Sequence, residues 1–146
     1  MSSGGPVSHT HGMSLSEQVV DHAPRLLLVF RKLEEINLAV NQHEVQHTLL
    51  EEAKDLVGAI RRDHISAAES FVRNPELRAA LCAEIEDEVH ELIEYVVAAK
   101  RFKLEADSRS KDRIVSVGEK LSCRFMTTML KDRVCVENTW LFYGSL

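Results

Sequence analysis

Apolar residues recur every three or four positions through three long stretches of this chain, and that spacing leaves few ways for it to fold. Leu49, Leu50, Ala53, Leu56, Val57, Ile60, Ala67, Ala68 and Phe71 keep the interval. So do Leu77, Leu81, Ile85, Val89, Leu92, Ile93 and Val96, and further on Ile114, Val117, Leu121, Phe125 and Met129. A helix turns once in about 3.6 residues, so such positions fall on one side and must be buried together. The spacing predicts long helices over about 44–71, 76–104 and 110–131.

Punctuation between these stretches agrees. Asn74-Pro75 ends one helix and begins the next, and Ala106-Asp107-Ser108 is a break. A first helix is expected within Ser14 to about Val40, capped by Ser14 or Ser16 and interrupted or restarted at Pro24. Lys131-Asp132-Arg133 is expected to close the last helix, with Val134-Cys135-Val136 as a short strand. Met1–Met13, with Gly4-Gly5-Pro6 and His9 and His11, reads as a disordered leader. The expected division is therefore a leader over 1–13, a body over 14–133 and a divergent tail over 134–146. The body is expected to be mainly α.

Composition narrows the partners. The 146 residues suit one domain, and 45% hydrophobic content suffices for a core. A net charge of −5 repels nucleic acid and anionic membrane, so neither is expected as a partner. Cys82, Cys123 and Cys135 form no disulfide framework and no metal-ligand pattern, which suits a reducing compartment. The longest apolar runs, Leu26–Phe30 and Tyr95–Ala99, are too short to span a bilayer, and the N-terminus is no secretory signal. A cytoplasmic location follows as the expectation.

Several strings could carry chemistry. His43-Glu44-Val45-Gln46-His47 fits the H-E-x-x-H zinc motif, with two His on one helical face and a Glu to polarise a bound water. A third ligand is wanting. Glu69 would lie on the same helix, roughly 33 Å from His47 at about 1.5 Å per residue, and His64 fails likewise. Solvated histidines at a helix start are the better reading, and no metal site is expected. Asp87-x-x-His90 and Glu91-x-x-Glu94 echo di-iron bundles, but Glu84, Asp87, Glu88, Glu91 and Glu94 lie off the apolar stripe and are expected to face water. Arg61-Arg62 could hold a phosphate but reads more simply as paired surface charge. No glycine-rich phosphate cradle occurs. Cys123 is expected to be a small core residue rather than a nucleophile.

Gly118-Glu119 is the remaining oddity. Glycine inside a helix costs on the order of 1 kcal/mol against alanine, so something must come close there, either another backbone or a ligand. Glu119 is then either a ligand group or a partner of Lys120 or Arg124, and the residues alone leave both open.

The surrounding string is Ser116-Val117-Gly118-Glu119-Lys120-Leu121-Ser122-Cys123-Arg124-Phe125-Met126. It resembles the aspartate kinases, especially those of fungal type. Arg109–Val115, Leu130–Arg133, Ile60–His64 and Asn74-Pro75-Glu76 add to the likeness, which covers roughly 44–133. The resemblance implies a helical fragment of an amino-acid-kinase catalytic domain, an α/β fold with a parallel sheet. It implies transfer of the ATP γ-phosphoryl group, with Mg2+, to the side-chain carboxylate of L-aspartate in lysine, threonine and methionine synthesis. The family role carried onto this chain is Glu119 gripping the α-ammonium of aspartate, with Ser122 beside it as a second substrate-binding residue. A homo-oligomer is compatible with it. The family's K-F-G-G-T-S opening and its nucleotide-binding half have no counterpart in these residues, so no catalytic residue is assigned and the chain alone is expected to be inactive. The expectations from other classes are a non-catalytic helical interaction module and, ranked behind it, a helical zinc protein using His43, Glu44 and His47.

Overall fold

Helix-forming stretches joined by short breaks fold as antiparallel neighbours. The computed structural model describes residues 22–144, with side chains through residue 135. Among the described residues there are four helices: α1 (Ala23–Leu38), α2 (His43–Phe71), α3 (Pro75–Arg101) and α4 (Ser108–Gly144). Among the described residues there is no strand. The expected start of the first helix at Ser14 and the expected leader lie outside the described residues.

Pairs along the seams fix the orientation. Gln46 Nε2 donates to Ile36 O at 3.2 Å near one end of the α1–α2 pair, and Arg25 meets Asp63 near the other. Arg61 Nε reaches Glu86 Oε2 at 2.7 Å between α2 and α3. The Arg113 guanidinium lies 4.4 Å from the Tyr95 ring centre between α4 and α3. Asn37 Nδ2 donates to Leu104 O and Ala106 N donates to Asn37 Oδ1, tying α1 to the α3–α4 connection. The result is an up-down-up-down bundle in which α1 touches α2 and α4, α3 touches the same two, and α1 meets α3 across the diagonal. Ile85, Ile114, Leu121 and Phe125 are wholly buried at its centre.

Local chemistry explains the ends. Pro24 sits in the first turn of α1, where its missing N–H costs nothing, so it restarts rather than interrupts a helix. Asn74 caps α3, its Oδ1 accepting from Glu76 N at 2.9 Å and Leu77 N at 3.1 Å. At the end of α3, Leu104 N donates to Ala99 O at 2.9 Å while Lys103 takes a positive φ of 52°. This is the left-handed helix stop usually given to glycine.

Four expectations are corrected. The last helix does not close at Lys131-Asp132-Arg133, and Val134-Cys135-Val136 is not a strand; α4 runs through both. Lys, Asp and Arg do not break a helix already formed, and β-branched propensity is a weak preference that an isolated strand without a partner cannot express. Cys123 is exposed rather than in the core. Glu88 is buried rather than water-facing, for a reason given below.

Candidate functional site

The Gly118-Glu119 pair lies about a third of the way along α4. A Cβ built on Gly118 would sit 2.8 Å from Leu26 Cδ1 of α1. The glycine is therefore explained by helix packing: α1 crosses where a side chain would otherwise stand. Leu26 fills the space that a ligand approaching the backbone would need, so that half of the ligand reading is corrected.

Glu119 is a separate matter. Its side chain is exposed. The guanidinium of Arg124, offered by the sequence as a partner for it, is taken by α3: Nη2 is 2.9 Å from Glu88 Oε1 and Nη1 is 3.5 Å from Glu84 Oε2. Glu88 is only 7% exposed because it occupies the α3–α4 seam between Ile85 and Leu92, and Arg124 supplies the charge that makes its burial tolerable. Glu119 makes no ion pair or hydrogen bond with another described residue. A free carboxylate on a helix surface can take an ammonium group. Ser122 follows on the same helix, half-buried.

The other sequence candidates resolve into structure. His43 and His47 are both exposed at the start of α2, and no grouping of three or more His, Cys, Asp or Glu suited to a metal ion occurs among the described residues. Arg61 of the Arg61-Arg62 pair is bound to Glu86. His90 Nε2 lies 3.0 Å from Glu94 Oε1, both exposed.

Comparison with known proteins adds a relationship to this geometry. Aspartate kinase FUB3 of Gibberella fujikuroi is 34% identical over 120 residues, 82% of this chain and 24% of that protein. The aspartokinase of Saccharomyces cerevisiae is 42% identical over 84 residues, 58% of this chain and 16% of that protein. That of Schizosaccharomyces pombe is 37% identical over 79 residues, 54% of this chain and 15% of that protein. The chain is homologous to one segment of the fungal aspartate kinases. It spans about a quarter of the length of the Gibberella fujikuroi FUB3 protein. No protein-family model matches, and no solved structure matches.

The aspartate kinase relationship raises the question of a nucleotide and its Mg2+. The residues present do not fit them. No described glycine has a positive φ, so no glycine-built phosphate loop exists among the described residues, and no carboxylate grouping suits a divalent cation. No helix among the described residues is long and apolar enough to cross a membrane.

Two residues escaped the sequence reading. His64 is 2% exposed. Its Nδ1 donates to Ile60 O at 2.9 Å, its Nε2 is buried without a hydrogen-bond partner, and its ring centre lies 4.4 Å from that of His22. The signal was present: position 64 continues the spacing of Val57, Ile60 and Ala67. Asp132, expected to end a helix, is buried on α4, and its carboxylate accepts from Arg73 N and Asn74 N, both at 2.9 Å. Nothing in the local sequence marks it, because its partners lie nearly sixty residues away.

Proposed function

We propose that this chain is the helical part of an aspartate kinase catalytic domain, and that Glu119, with Ser122 beside it, forms part of the binding site for L-aspartate. The observation that carries the reading is the free, exposed carboxylate of Glu119, set on a helix packed against α1 at Gly118 and tied to α3 by the Arg124 pairs. A carboxylate left without a cation of its own is available to the substrate's ammonium. In this reading the segment belongs to a body spanning 14–133, and the parallel sheet of the amino-acid-kinase fold and the nucleotide site come from parts of the kinase other than these helices. The overall reaction is phosphoryl transfer from ATP to the aspartate side-chain carboxylate; this segment's share is to orient the acceptor. The chain by itself is expected to form no aspartyl phosphate.

The test is a graft. The matched segment of the Saccharomyces cerevisiae aspartokinase is replaced by this one, and aspartyl phosphate is trapped as the hydroxamate. An active graft in which Glu119→Gln raises KM for aspartate while KM for ATP holds supports the reading. With bound aspartate and the rest of the kinase covering the pair, losing one partner costs about 2–5 kcal/mol, a factor of roughly thirty or more. Glu91→Gln, another exposed carboxylate, is the control. Equal, small effects from both would remove Glu119 from the site.

One feature favours a second reading, the non-catalytic interaction module. Met126, Leu130 and Val134 are exposed at intervals of four along α4, an apolar stripe of the kind that covers a partner helix or sheet.

A further inference from the structure

The end of α3 and the turn between α1 and α2 enclose a cavity of about 150 Å³, well above the roughly 10–15 Å³ that a single water needs. Its apolar lining is Ile36, Val40 and Ala99. Asn37 and Gln46 also line it, but their amides are engaged with backbone carbonyls of α1. The polar residues left over in the lining are Lys100, Lys103, His43 and Asn41.

The charge here is one-sided. No carboxylate lines the cavity, although the chain as a whole carries −5. Neither Lys100 nor Lys103 forms an ion pair with a described residue, whereas Lys32 and Lys54 both do. Three carbonyls at the end of α3 already have backbone partners and are less available to the lysines. Those of Ala98, Ala99 and Lys100 are met by the N–H groups of Phe102, Leu104 and Lys103.

Lys103 also stands where a lysine is unfavourable. Its φ of 52° is left-handed backbone, which an L side chain adopts at a cost and glycine adopts freely. A residue that the local fold disfavours, holding an unpaired charge at the mouth of a cavity, is a candidate for function rather than for stability.

We infer that this cavity binds a small anion, a phosphate or carboxylate group, held between the ammonium groups of Lys100 and Lys103 with the His43 ring at its edge. It is too small for a nucleotide, and it lies at the end of the bundle away from the α2–α3 connection, so it stands independently of the Glu119 reading. It also gives His43 a role that the zinc motif does not.

The experiment is an NMR titration of the full chain with inorganic phosphate and, separately, with acetate, at ionic strength held constant with sodium chloride. Saturable shifts confined to the amides of residues 37–46 and 99–104 are expected, and the probe that saturates at lower concentration identifies the anion class. Lys100→Gln with Lys103→Gln should weaken the binding at least tenfold, and Lys120→Gln on α4 should leave it unchanged. Lys103→Gly separates binding from folding: it should raise the melting temperature by relieving the backbone while weakening phosphate or acetate binding at least fivefold. Shifts that sodium chloride reproduces, shifts that never saturate, or affinity undiminished in the double variant would each overturn the inference.

Discussion

A Cβ on Gly118 would lie 2.8 Å from Leu26 Cδ1, so a side chain there would force either the Leu26 side chain or the spacing of α1 and α4 to shift. Leu26 is 1% exposed and has packed neighbours on every side. Gly118→Ala brings two opposed effects. Helix propensity favours alanine by about 1 kcal/mol, while overpacking a filled core costs about 1–3 kcal/mol. The clash should win, with a net loss of about 1 kcal/mol in urea denaturation. In a Leu26→Ala background, where Cδ1 is gone, the same change should become stabilising. A Gly118→Ala effect of the same sign in both backgrounds would show that the contact does not set the glycine.

How much of this was legible beforehand follows from where the partners sit. The helices 43–71 and 75–101 were readable because their apolar spacing is long and their stops, Asn74-Pro75 above all, are local. The contact that explains Gly118 was not, since Leu26 lies ninety-two positions away and only the antiparallel closure of α1 on α4 brings it there. The same holds for Glu88. The sequence placed it among carboxylates facing water, but its neighbours Ile85, Val89 and Leu92 turn it inward, and the cation that permits this is on another helix. The stripe rule sorts side chains by angle and is silent about a charge whose partner comes from elsewhere.

The Glu88–Arg124 pair should matter more than its neighbour. Glu88→Gln leaves a guanidinium facing a neutral amide inside the seam, and the cost should be about 1–2 kcal/mol, reduced from the fully buried case because Arg124 is 41% exposed. Glu84→Gln, at 3.5 Å and 44% exposed, should cost under about 0.5 kcal/mol. Chemical denaturation of the two variants side by side checks the order. Equal costs would mean that burial of Glu88 contributes nothing.

Asp132 closes the connection between α2 and α3 from outside. Its two backbone bonds, to Arg73 N and then Asn74 N, hold its carboxyl below the usual carboxylate range. A depressed folded pKa contributes stability that is present above the unfolded value of about 3.9 and is lost as pH falls through the lower folded value. Asp132→Ala should cost about 1–2 kcal/mol near neutrality, as for a lost helix cap with two unsatisfied donors. The difference from wild type should shrink below about pH 4. Hydrogen exchange at the amides of Arg73 and Asn74, faster in the variant at neutral pH, is the direct readout.

His64 predicts a pH dependence of the opposite residue type in the same direction. Burial holds its imidazole below the ordinary range, against weaker upward pulls from its bond to Ile60 O and from the Asp63 charge. The folded chain thus binds a proton at this position less readily than the unfolded chain, whose histidine titrates near about 6.5. Where the unfolded state holds more protons, stability rises with pH. The contribution of His64 is therefore fully present above about pH 6.5 and declines as pH falls below it, until the lowered folded value is reached. Protonation would also place a charge 4.4 Å from the His22 ring, beside Arg25 and near the half-exposed Asp63. His64→Leu keeps an apolar side chain on the stripe, removes the orphaned Nε2 and removes the titration. At pH 7.5 the variant should match wild type or exceed it by up to about 1 kcal/mol, since an unsatisfied buried polar atom is lost. At pH 5.5 its advantage should grow, because only wild type must expel a proton to fold. Denaturation midpoints at the two pH values decide it: an advantage that stays constant would mean that His64 is not the group that couples this bundle to pH.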